Sequence, residues 1–301
     1  MTTFTRIWKT RSFQKDFLGR KITSALQYTI QLDNGTVLSS RPYTRNGITD
    51  TEFNRWSARG KLLDTMFIRY GGHGGAFGYD EKSGLIHTLV EDPITRQKYI
   101  GGVDYHSNST IGLASFRWLV KVPHYVRFST DTEQNVFLAS DTAGNVYSGR
   151  LSELKQAGEL LRPVFHLSSY GMRVNPAGDE NDGRFNTLQS NGVCYPYAFF
   201  TFGDANNADL KFILAIDLRD NRQVFKHEVI PERDVKLRVP LDKKGHLEPE
   251  GIYYDRHTKK LIVGFNKLEV WGIGRFGYRY PHSELYETAE FNHRLPDIST
   301  M

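Results

Sequence analysis

Apolar and polar residues alternate with period two over short runs, and clusters of turn-forming residues separate the runs. Leu26-Gln27-Tyr28-Thr29-Ile30-Gln31-Leu32 alternates, Asp33-Asn34-Gly35 supplies a turn, and Thr36-Val37-Leu38 resumes the pattern. Alternation interrupted by Asn-Gly is a hairpin signature. The design recurs: 76–79 and 85–90 flank the polar stretch 80–84, and 125–129 and 135–139 flank another, with a third strand at 145–151. In the second half, 192–202 is aromatic and strand-like, 210–218 follows a polar turn, and 251–254 and 260–265 flank 255–259. Helical periodicity is confined to 151–161. The pattern predicts an all-β chain.

Each of five hairpins follows a polar residue in a comparable place: Gln27, His73, His124, Gln189 and Glu250. They recur about every 45–65 residues, the length of one four-stranded sheet, which is the mark of a propeller blade. The chain is therefore expected to be a single β-propeller of five blades. It reads as one domain over 1–301, with a leading segment 1–24, blades over about 25–290 and a tail 291–301. A sixth blade stays open, because 175–183 and 229–245 fit neither strand nor helix. Radially related blades place equivalent residues at one level around the axis, so the five polar residues are expected to ring the mouth of the channel. Their ordinary role would be to satisfy strand ends.

Composition narrows the function. The formal charge of +5 is spread along the chain without a dense basic tract, so an ordinary solvated surface is expected and nucleic acid is not a partner. A single cysteine, Cys194, excludes a disulfide framework and reads as a packing residue. Residues 1–19 contain no apolar core of a secretory signal, and no 18-residue apolar run could span a membrane. The expectation is a protein made in the cytosol that acts outside the cell or at a cell surface, a virion included.

A glycosidase would need two carboxylates spaced across the channel. Glu250 is the one carboxylate of the ring, with Glu248 two residues earlier, while Asp33, Asp80 and Asp217 read as turn caps. A non-enzymatic protein is the leading expectation and a hydrolase or lyase the alternative. His73, His124 and Glu250, if they converge, would suit a divalent transition ion in the channel; hydrogen-bonded rim histidines are the plainer reading. The run Gly71-Gly72-His73-Gly74-Gly75 lacks the Lys-Ser/Thr of a phosphate loop and reads as a tight turn toward the channel. Tyr195, Tyr197, Phe199 and Phe200 are expected to pack between blades. Arg275, Phe276, Tyr278, Arg279 and Tyr280 are candidate rim residues, since aromatic faces stack on sugars and guanidinium groups pair with phosphodiesters.

Four segments occur in a telling order: Gly71-Gly72-His73-Gly74-Gly75, Pro123-His124-Tyr125-Val126, Thr187-Leu188-Gln189-Ser190-Asn191-Gly192-Val193 and His246-Leu247-Glu248-Pro249-Glu250-Gly251-Ile252. The set resembles the helveticin J family of large bacteriocins. It is also similar to the propeller of phage receptor-binding proteins and of proteins called teichoic-acid biosynthesis protein C. The likeness runs from about Gln27 to Phe265. It implies a five-bladed propeller acting at a Gram-positive cell surface, with wall teichoic acid as the contact in the phage relatives and killing of related lactobacilli in helveticin J. One departure is Ser190-Asn191 between Gln189 and Gly192, where the family tends to place Gly directly after Gln. No coiled-coil stem is visible in the sequence, which puts the bacteriocin-like reading ahead of the phage receptor-binding one. The expected partner is a cell-wall glycopolymer.

Overall fold

The computed structural model describes residues 4–10, 18–19, 26–160, 162–174, 186–203, 210–230, 246–271, 278–288, 291 and 294–295. Its first strand, β1 (Thr5–Lys9), is used last. Blade 1 is β2 (Tyr28–Gln31), β3 (Val37–Arg45), β4 (Ile48–Trp56) and β5 (Leu62–Ile68). Blade 2 is β6 (Gly78–Asp80), β7 (Leu85–Glu91), β8 (Lys98–Asp104) and β10 (Trp118–Val122), while the intervening β9 (Ser109–Ile111) pairs in parallel with β5. Blade 3 is β11 (Val126–Asp131), β12 (Val136–Asp141), β13 (Asn145–Arg150) and β14 (Phe165–His166), with helix α1 (Leu151–Ala157) between the last two. Blade 4 is β15 (Leu188–Cys194), β16 (Tyr197–Phe202), β17 (Lys211–Asp217) and β18 (Arg222–Val229). Blade 5 is β19 (His246–Asp255), β20 (Lys260–Trp271), β21 (Tyr278–Thr288) and, outermost, β1.

The first strand of each blade is the inner one, and in blades 1, 2, 3 and 5 the hairpins read in the sequence are the inner hairpins; in blade 4 the stretch 192–202 folds back at 195–196 and is shared between β15 and β16. Their turns use the expected chemistry: Gly35 and Gly84 adopt φ +76 and +72, a region closed to most side chains. Of the two stretches left unplaced by the sequence, Val229 ends β18, and 175–183 and 231–245 lie outside the described residues.

Five apolar layers, one between each pair of neighbouring blades, make the core. Tyr28, Phe53, Phe77 and Ile86 join blades 1 and 2, and Val120, Val122, Phe128 and Leu154 join blades 2 and 3. Leu138, Phe200 and Phe202 join blades 3 and 4, and Phe199, Ile252 and Phe265 join blades 4 and 5. Because a middle strand has a blade on both faces, β16 (Tyr-Ala-Phe-Phe-Thr-Phe) is buried at every position, its alternate residues serving the two layers. The expected packing role of Tyr197, Phe199 and Phe200 is what is found; Tyr195 is half-buried. Cys194 is buried as expected, and burial pushes its thiol up to about 12.

The fifth layer closes the ring. β1 pairs with β21 in the register Thr5↔Glu287 to Lys9↔Glu284. This places Trp8 against Trp56 of blade 1, centroids 5.9 Å apart, with Trp8 Nε1 donating to the Ser57 carbonyl at 3.2 Å. Glu284, buried on β21, receives Lys267 Nζ at 2.8 Å, Arg6 Nη1 at 3.1 Å and Lys9 Nζ at 3.4 Å. The ends of the chain are thus zipped into one blade by two backbone strands and an ion cluster.

Candidate binding site at the channel mouth

Two of the five ring positions sit at matching irregularities. The register of β15 slips between Leu188 and Ser190, and that of β19 between Pro249 and Gly251, so Gln189 and Glu250 are each the extra residue of a β-bulge. A bulge re-aims the side chain it carries. Here both turn into a network spanning four blades. Gln27 Nε2, just ahead of β2, donates to Glu250 Oε1 at 3.2 Å, and Asn266 Nδ2 donates to the same oxygen at 3.2 Å. Gln189 Nε2 donates to Glu248 Oε1 at 2.9 Å. Blade 3 joins through Arg127, whose Nε donates to the Gln189 carbonyl at 2.7 Å, and whose own carbonyl accepts from Asn191 Nδ2 at 3.1 Å.

Gln27, Gln189 and Glu250 thus share one run of hydrogen bonds through β19, and the contact of His124 is with Asp141. His73 is exposed on the glycine loop between blades 1 and 2. That loop turns through Gly72 and Gly74 at positive φ, and Gly75 N donates to Tyr125 Oη at 3.1 Å. His124 Nε2 lies 2.8 Å from Asp141 Oδ2 at the end of β12. Among the described residues no three histidine, cysteine or carboxylate side chains gather to hold a metal ion, so His73, His124 and Glu250 do not form such a group. Arg275 and Phe276 lie outside the described residues. Tyr278, Arg279 and Tyr280 fall on β21 by their backbone, and their side chains are outside the described set.

The residues that the sequence reading missed are Arg127, Asn191 and Asn266. Asn266 breaks the apolar run Leu261–Phe265 of β20, a signal that marks it, whereas Arg127 and Asn191 sit in strands with several other polar residues and nothing in the sequence sets them apart.

Burial, then the adjacent Glu248 carboxyl, hold Glu250 well above the usual carboxylate range, against the opposing pull of Arg127 and Asn266.

A stability test follows. Folded Glu250 keeps its proton at pH values where the unfolded chain has released it. Stability is then highest below about pH 4.5 and falls as pH rises toward the folded value, at about 1.4 kcal/mol per pH unit. Glu250→Gln, which carries a permanent donor, should flatten this slope and be the more stable protein at pH 8. Denaturant titrations from pH 5 to pH 8 measure it; an unchanged slope in the variant would show that Glu250 does not carry the proton.

The opposite mouth has a different character. The hairpin-turn ends of all five inner strands surround a cavity of about 260 Å³. Asp33, Asp80, Glu81, Asp131, Glu133 and Asp255 line it against Lys82, Arg256 and His257. Arg256 is bound to Asp131 at 2.5 Å and His257 to Asp33 at 3.0 Å, so this face is predominantly anionic.

No curated protein sequence matches the chain. Among solved structures, the tail fibre of Staphylococcus aureus phage P68 superposes with a TM-score of 0.66 at 14% identity, over 99% of this chain and 55% of the fibre. The chain thus spans about half the length of that fibre, and the likeness is one of fold. An α-L-arabinofuranosidase from Lactobacillus brevis aligns at TM-score 0.45 and 11% identity, over 87% of this chain and 89% of that one, too loosely to bear on activity. The family model of the phage 5-bladed β-propeller receptor-binding platform domain matches residues 29–270, from β2 of blade 1 to β20 of blade 5. Five closed blades and a match over most of their length make this chain a member of the phage five-bladed β-propeller receptor-binding platform domain family.

Proposed function

We propose that this propeller recognises an anionic glycopolymer of the Gram-positive cell wall, of the teichoic-acid class, as its receptor and binds it without chemical turnover. The observation that carries the reading is the family match over residues 29–270, which describes a receptor-binding domain. It also moves the phage-type receptor reading ahead of the bacteriocin-type one. Electrostatics supports the choice of face. The chain carries +5 overall, yet its hairpin-turn mouth is lined by six carboxylates, which repel a polyanion. The polymer is accordingly directed to the mouth that holds Gln27, Gln189 and Glu248, with His73 and His124 exposed on its approach.

The test is sedimentation with purified walls, intact or stripped of anionic polymers, at low and high salt. Binding should fall at least about tenfold on stripped walls. It should also weaken as salt shortens the screening length from about 30 Å at 0.01 M to about 3 Å at 1 M. His73→Ala and Gln27→Ala should lose binding with little change in melting temperature. Unchanged binding to stripped walls would overturn the polymer. Release of soluble fragments would instead favour the hydrolase reading.

A further inference from the structure

We propose that the outer edge of blade 3 is a strand-addition site that takes an extended peptide from a protein partner. The fourth strand of this blade, β14, has two residues and pairs only with Asn145 and Val146 of β13. The corresponding strand of blade 4, β18, has eight residues. Residues 147–150 of β13 consequently have a neighbour on the inner side alone, where they pair with 136–139 of β12.

The direction of the free backbone groups follows from the bonds that flank them. Val146 O accepts from Val164 N at 2.7 Å on the outer side, whereas Leu151 N donates inward to Asn135 O at 2.8 Å. Alternation along an antiparallel strand then points the N–H and C=O of Ser148, and the N–H of Arg150, outward. Among the described residues no backbone group pairs with Ser148 on that side.

The chain that would have covered this edge is used elsewhere. After α1, residues 158–160 are drawn to the edge of blade 2, where Gly158 O accepts from Lys121 N at 2.8 Å and Leu160 N donates to Lys121 O at 2.9 Å. What remains between the two blades is a cavity of about 700 Å³ running along 147–150. Phe137, Leu154 and Leu160 give it an apolar floor, and Arg150, Glu153 and Arg162 a rim of both signs. Gly149, exposed and without a side chain, leaves the ring of Phe137 uncovered for an incoming residue.

A row of outward backbone donors and acceptors over an apolar floor suits a strand with alternate apolar residues, bound by main-chain hydrogen bonds. With both signs on the rim, backbone pairing rather than net charge selects the occupant. The same chain already fills two blade edges in this way, with β1 on β21 and β9 on β5.

Because main-chain bonds supply the affinity, a generic peptide is an adequate probe. The full chain is mixed with the six-residue peptide Val-Lys-Val-Glu-Val-Lys, capped at both ends, at about 1 mM. Amide exchange is then compared with that in a twin N-methylated at alternate residues. The peptide should slow exchange at Ser148 and Arg150 by about tenfold or more, and the twin should not. Ser148→Pro, which removes an outward N–H, should abolish the protection of Arg150. Ala157→Trp, which fills the groove from the exposed end of α1, should do the same if the proline variant misfolds. Absence of protection with the peptide overturns the proposal, as does equal protection by the methylated twin, since that would make the groove a pocket for apolar side chains alone.

Discussion

Alanine at position 192 should cost the ring about 3 kcal/mol or more and lower its melting temperature by about 6 °C or more. Gly192 lies where β15 crosses β19, and a Cβ there would stand 2.1 Å from the Ile252 carbonyl oxygen and 3.0 Å from its carbon. Both are backbone atoms of the next blade's inner strand, so no rotamer change relieves the contact and blades 4 and 5 must separate. Gly149→Ala is the control. The nearest atom to its new methyl group is Phe137 Cε1 at 3.3 Å, a side chain that can yield, and its melting temperature should shift by no more than about 2 °C. Equal shifts in the two variants would mean that the close approach of the inner strands does not set the stability of the ring.

Glu284→Ala should be as damaging, by about 3–5 kcal/mol, because it strands the Lys267 ammonium in the interior. Lys267 is 3% exposed and its Nζ lies 2.8 Å from Glu284 Oε2; Tyr286 Oη donates to the same oxygen at 2.5 Å. Removing one partner leaves a buried charge, whereas replacing both with apolar groups removes the desolvation cost as well. The double variant Glu284→Leu/Lys267→Met should therefore recover most of the loss. If the single and double variants unfold at the same denaturant concentration, the cluster acts by holding Arg6 and Lys9 of β1 rather than by neutralising Lys267.

The inner hairpins of blades 1, 2, 3 and 5 were legible because each joins two strands through a turn whose residues are chemically marked; the turn of blade 4, at 195–196, lies inside an aromatic run and carries no such mark. Farther out the reading was partial: β13 and β17 were read, at 145–151 and 210–218, and β4, β5, β8, β10, β18 and β21 were not. In β3 and β4 the buried positions include Ser39, Ser40, Arg41, Thr51, Glu52 and Asn54. Several of these find partners on neighbouring chain: Trp56 Nε1 donates to Ser39 Oγ at 2.7 Å, Ser40 Oγ donates to the Gly74 carbonyl at 2.5 Å, and Arg41 Nη2 meets Glu52 Oε2 at 2.6 Å. Burial between two blades does not require apolar side chains when neighbouring strands supply partners, so the alternation that reveals a half-buried strand is absent.

The ring of polar residues was legible in part for a related reason. Counting back from a hairpin finds Gln27, Gln189 and Glu250, but it treats every lead-in as equivalent. His73 precedes β6 by a glycine-rich loop that folds back over blade 1, where Gly72 N donates to the Thr49 carbonyl at 3.1 Å, a lead-in unlike the bulges that carry Gln189 and Glu250. The bulges that turn Gln189 and Glu250 inward add one residue without changing the residue types around it, and period counting does not register them.

The place of β1 in the last blade also orders events in time. Its partner β21 is synthesised some 280 residues later, which at 5–20 residues per second is a delay on the order of 15–60 s. Blades 1 to 4 can assemble as they emerge, each against the one before. Throughout that interval the nascent chain holds a finished strand with Trp8 and no sheet to receive it, and the torus stays an open arc. Closure is then a single late event joining β1 to β21, and synthesis that stops before β21 leaves an arc with two sticky edges rather than a smaller ring.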